Sequence, residues 1–117
     1  MKALVPLMLT VLLAGGCQIP QDTDGTVDRV KRERVLRAGV SQSDPWVVLE
    51  DGRPPAGAEV RLIEDFARGL GARVEWVEGS EQELGDALKE GSVDVLAAGL
   101  TSKSQLKKEV AFTRPYL

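Results

Sequence analysis

The chain has 117 residues, with 15 basic and 18 acidic side chains, no histidine and one cysteine, for a net charge of -3. That inventory lacks the parts for a zinc site, a disulfide framework or the Ser-His and Cys-His nucleophile pairs. It has no basic cluster able to track a phosphate backbone, so nucleic acid is not an expected partner.

Lys2 opens an apolar stretch, Ala3 to Gly16, that is shorter than the roughly 20 residues a transmembrane helix needs. Its basic start and its end in Ala14-Gly15-Gly16, directly before Cys17, have the layout of an export signal. The segment resembles a bacterial lipobox, with Ala14 where that pattern more often has leucine. The resemblance implies cleavage before Cys17, lipidation of its thiol, and anchoring on the periplasmic face of a membrane by two or more acyl chains. The expected divisions are therefore residues 1–17 as signal, 18–34 as polar linker and 35–117 as folded module.

Gln18 to Asp28 is polar, holds Pro20 and Gly25, and has no period, which is linker composition. Arg29 to Arg34 is charged except for Val30 and reads as one solvated helical turn. Val35 to Val40 is a short strand ending in the polar run Ser41-Gln42-Ser43-Asp44. Trp46 to Glu50 is a second extended piece, turned back at Asp51-Gly52. Ala58 to Leu70 carries Leu62, Ile63, Phe66, Ala67 and Leu70 at helical spacing, with Glu59, Arg61, Glu64, Asp65 and Arg68 elsewhere, and Gly71 stops it.

Ala72 to Glu78 alternates strictly, as a half-buried strand near a sheet edge does. Ser80 and Glu83 form a capping box that opens a helix through Glu90, with Leu84, Ala87 and Leu88 inward and Gly91 at its end. Val93 to Ala98 is apolar apart from Asp94 and reads as a central strand covered on both faces. Ser102 to Glu109 reads as a short helix. The order predicts an α/β fold, a three-stranded, mainly parallel sheet with flanking helices joined by right-handed crossovers.

In such sheets ligands bind beyond the carboxyl ends of the strands. Two loops reach that place, Ser41 to Trp46 and Gly99 to Lys103. Trp46 offers an apolar plate, Ser41 and Thr101 offer hydroxyls, Asp44 a carboxylate, and Gly99 close access to backbone N–H groups. These five are the candidate ligand residues. Nothing in the pattern calls for a cofactor or metal, and no carboxylate pair is placed for glycosidase chemistry.

Several dispersed phrases carry a family resemblance. Gly39 with Pro45-Trp46, Gly57 to Glu64, Leu70-Gly71 with Val74-Glu75, Ala87 to Asp94, Ala97 to Thr101, and the closing Lys107 to Thr113 with Pro115-Tyr116 resemble the family 3 extracellular solute-binding proteins of polar amino-acid transporters. The match runs from Val35 to Tyr116. It implies a partial periplasmic-binding-protein-like lobe that takes a small polar solute, with a membrane permease as a further partner, and no enzymatic activity. Asp94 to Thr101 is similar also to the corresponding domain of membrane-bound lytic murein transglycosylases, which implies the alternative of a non-catalytic sensory domain. A remnant without ligand is the third expectation. Two departures stand out. Leu106 occupies the place of the family's carboxylate-binding arginine, and the second lobe and the strand that completes the first lie beyond Leu117.

Overall fold

The computed structural model describes residues 22–115; the proposed signal and Cys17 lie outside the described residues. Helix α1 (Thr26–Glu33) is followed by strand β1 (Val35–Val40), helix α2 (Ala58–Gly69), strand β2 (Arg73–Glu78), helix α3 (Glu81–Glu90) and strand β3 (Val95–Ala97), and a 3-10 turn spans Gln105–Lys108. The three strands are parallel in the order β2-β1-β3. β1 pairs along its whole length with β2, from Val35 opposite Arg73 to Val40 opposite Glu78. On its other side Ala38 to Val40 faces Val95 to Ala97.

The central strand is thus β1, not the run around Val95 that the apolar sequence favoured. That run is apolar because its residues face packed helices, and only three of them form the ladder. β1 has a partner on each edge and covered faces, so Leu36, Ala38 and Val40 are at most 3% exposed. β2 lies at an edge and alternates between exposed and half-buried residues, as its sequence predicts.

The core joins β1 to Val47, to Val60, Ile63 and Ala67 of α2, and to Val30 and Ala97. The inward face of α2 is rotated from the expected one. Val60 and Ile63 turn in, while Leu62 and Phe66 are about half exposed, and Glu59, expected on the polar face, is 8% exposed. Its first turn is held against the loops after β1 and β3 by Glu59, whose amide donates to the Trp46 carbonyl and whose carboxylate accepts the Gly99 amide. α3 begins with the capping box: the Glu83 amide donates to Ser80 Oγ at 3.2 Å and the Ser80 amide to Glu83 Oε2 at 2.8 Å. Gly71 and Gly91 follow the two helices in left-handed conformation, satisfying end carbonyls where a side chain would be strained.

The polar segment before β1 folds further than its composition suggests. α1 starts where Asp22 accepts the amides of Thr26 (2.8 Å) and Val27 (2.9 Å), and Val30 is 1% exposed against the sheet. Arg29 reaches Asp94, which also pairs with the Arg37 guanidinium at 3.0 Å and accepts the Arg37 amide at 2.9 Å. One buried apolar residue and one ion-paired arginine tie this helix of just over two turns to the domain.

Candidate functional site

The parallel sheet sends β1 and β3 out side by side, so their following loops emerge together; the Ser41 amide donates to the Ala97 carbonyl at 3.4 Å. The loop after β1 is tightly folded. Ser43 and Val47 form an antiparallel bridge, and the Trp46 amide donates to the Ser43 carbonyl at 2.7 Å. Val48 pairs with Ala56 across the Asp51-Gly52 turn. The indole of Trp46 is thereby held over the loop after β3. There Gly99 has φ +61°, and a Cβ on it would overlap Ser43 Oγ and lie 3.4 Å from Trp46 Cδ1. Only glycine allows the two loops this approach.

Trp46, Gly99 and Thr101 border one cleft of about 410 Å³. Thr101 Oγ1 accepts the Lys103 amide at 3.2 Å, which leaves the hydroxyl proton to donate. The remaining two sequence candidates stand off the cleft. Asp44 is exposed and accepts from Gln42 Nε2 at 2.9 Å, and Ser41 uses its backbone to continue the sheet.

Four further residues that the five sequence candidates did not include also line the cleft, Glu59, Lys107, Phe112 and Arg114. Glu59 sits in the first turn of α2 and accepts the Gly99 amide at 2.9 Å. Lys107 and Arg114 come from the segment after β3, which α3 holds in place. Ser104 Oγ donates to Glu81 Oε1 at 2.6 Å, and Lys89 pairs with Glu109 at 2.6 Å. The Lys89 ammonium is pushed upward, first by its bond to Glu109 and then by Asp86. Leu106 is 3% exposed and fills the space left by Gly85, where a Cβ would meet Leu106 Cδ1 at 3.2 Å. The side chain at the position of the family's arginine therefore points into α3 packing and does not border the cleft. The positive charges at the cleft are Lys107 and Arg114. Spacing within one element shows none of this, because these four residues come from a helix start and a tail more than 40 positions apart.

Away from the cleft, Asp94 closes the foot of the sheet with a side chain 4% exposed. Burial, the largest single influence, acts to raise its carboxyl, but hydrogen bonds from Arg37 and Arg29 outweigh it and hold the group below the usual carboxylate value. No helix among the described residues is long and apolar enough to cross a membrane.

Comparison with known proteins follows the same lines. Residues 36–117 match the profile of the bacterial extracellular solute-binding proteins, family 3. The membrane-bound lytic murein transglycosylase F of Vibrio parahaemolyticus is 34% identical over 110 residues, covering 92% of this chain and 21% of the relative. The protein of the same name from Pseudomonas putida is 36% identical over 109 residues, again 21% of its length. The chain thus spans about a fifth of these curated relatives.

Among solved structures, the arginine-bound form of domain 1 from TmArgBP superposes with a TM-score of 0.69 at 30% identity, over 76% of this chain and 71% of that one. An ancestral cationic amino acid solute-binding protein gives 0.71 at 28% identity, over 79% and 41%. With the profile spanning all but the first residue of the sheet and every residue that lines the cleft, the chain belongs to the bacterial extracellular solute-binding proteins, family 3.

Proposed function

We propose that the cleft beyond β1 and β3 binds a small polar solute bearing both charges, an amino acid being the simplest, without catalysing a reaction on it. The observation that carries this is the meeting of opposite charges with aromatic plates in one cleft, which Glu59, Lys107, Arg114, Trp46 and Phe112 all line. A carboxylate of the solute is met by Arg114, whose planar fork suits it, and its uncharged portion stacks on Trp46. Thr101 adds a hydroxyl donor, and Gly99 a close backbone approach. The arginine-bound domain 1 from TmArgBP supports the idea that one lobe holds solute by itself.

In the cell the lobe is tethered to the membrane through acylated Cys17 on the periplasmic face and passes solute to a permease of the ABC type. A second reading, in which the lobe is the non-catalytic sensing part of a murein transglycosylase, is favoured by the 34% identity to transglycosylase F across 92% of this chain. Titration calorimetry with amino acids, organic acids and muropeptides separates these readings. A Kd in the micromolar range for a free amino acid supports transport, and selective binding of a muropeptide supports sensing. Heat equal to dilution for every compound refutes solute binding by the lobe.

A further inference from the structure

Glu59 holds both cleft-forming loops at once. Its backbone amide donates to the Trp46 carbonyl at 3.1 Å, and its side-chain Oε2 accepts the Gly99 amide at 2.9 Å. The first bond fixes the loop after β1, the second the loop after β3. The residue stands in the first turn of α2 at 8% exposure, close to a helix N-terminus that favours a negative charge. Gly57, two positions earlier, makes this possible: its φ of +117° and the Trp46 carbonyl carbon, which would lie 2.8 Å from a Cβ there, leave room for no side chain. α2 therefore begins pressed against one loop and reaches across to the other. A charge-assisted hydrogen bond to a backbone amide is stronger than a neutral one, and with Glu59 8% exposed it is little screened.

We propose that Glu59 is the positioning residue of the solute site, setting the spacing between the Trp46 plate and the Gly99-Thr101 loop through the Gly99 amide. Its effect on affinity rests on the reading of the cleft as a solute site; its effect on the loops does not. The side-chain oxygen meets that amide at 2.9 Å from a backbone that is itself fixed by its bond to Trp46, so side-chain length matters beside charge. Glutamine keeps the length and an acceptor oxygen, aspartate keeps the charge but is one methylene short, and leucine keeps only bulk.

The test uses the 117-residue chain with Glu59→Gln, Glu59→Asp and Glu59→Leu, amide hydrogen exchange read by NMR, and titration with L-arginine as probe. The Gly99 amide is expected to exchange slowly in the parent, a few-fold faster in Glu59→Gln, which keeps the length but loses the charge, and faster by about tenfold or more in Glu59→Asp and Glu59→Leu, the factor that corresponds to about 1.4 kcal/mol. Amides of Leu36 and Ala38 keep their protection in all four, which separates a loop effect from general unfolding. Arginine affinity follows the same order. If Glu59→Leu does not fold, the comparison of Asp with Gln decides. Gly99 exchange equal across the parent, Gln and Asp chains overturns the proposal. If the parent shows no heat with L-arginine or any other solute, the binding reading fails while the Gly99 exchange order still decides the role of Glu59.

Discussion

Replacing Asp94 by alanine removes a carboxylate that joins α1 and β1 just before the start of β3. Its side chain is 4% exposed and serves the Arg37 amide at 2.9 Å, the Arg37 guanidinium at 3.0 Å and the Arg29 guanidinium. Removing one member of a buried ion pair costs about 3–5 kcal/mol, because the partners are left desolvated and unpaired. Here the arginine side chains keep 22% and 31% of their surface in water and resolvate in part, so the lower end, about 3 kcal/mol, applies. Against the roughly 5–10 kcal/mol that holds a small domain together, this is a large fraction.

Urea unfolding followed by circular dichroism at pH 7 should show it as a lower midpoint with an unchanged slope, and Tm should fall by about 12 °C or more. Asp94→Asn, which still accepts the Arg37 amide, should lose about half as much. An Asp94→Ala chain within about 0.5 kcal/mol of the parent, the range of an inert surface change, would refute the reasoning. It would mean that both arginines regain full hydration without moving the sheet.

Acid should act through the same carboxyl. Its folded value is depressed, so the stability it contributes is fully present above the unfolded value of about 3.9 and is lost as the pH falls through the lower folded value. Unfolding free energy measured from pH 6 downward should therefore decline below about pH 4, and decline less steeply in Asp94→Asn. Leu106→Arg, which restores the residue type of the resemblance, should destabilise by about 3 kcal/mol or more and leave solute affinity no tighter, because position 106 faces Gly85 and not the cleft; tighter binding with a normal Tm would contradict the packing. Gly99→Ala should lower Tm and solute affinity together through its positive φ and its overlap with Ser43. Ser80→Ala should cost about 1 kcal/mol through loss of the α3 cap, without changing affinity, as a combined melt and titration would show.

Local order in this chain was legible one residue at a time. The Ser80-Glu83 box, the glycines after α2 and α3, the alternation of β2 and the succession of strands and helices each express short-range rules of capping, handedness and period. From them the parallel sheet followed, and with it the pair of loops where Trp46, Gly99 and Thr101 meet. The resemblance carried by phrases from Val35 to Tyr116 gave the family, which the profile match over residues 36–117 supports.

Tertiary structure decided the rest, because the relevant contacts join residues far apart in the chain. An apolar run cannot say whether strands or helices cover it, so β1 and not β3 is central. Helical spacing leaves the rotation of α2 open by a residue or two, and the bond from Gly99 to Glu59 turned that carboxylate inward and left Leu62 and Phe66 half exposed. Val30 has only the partly exposed Val27 at helical spacing beside it, too short a pattern to announce a buried face, and its helix is tied down where Arg29 meets Asp94, 65 positions away. Leu106 became core because α3 has a glycine opposite it. Sequence periodicity reports which faces are apolar; only the packed structure determines what each face meets.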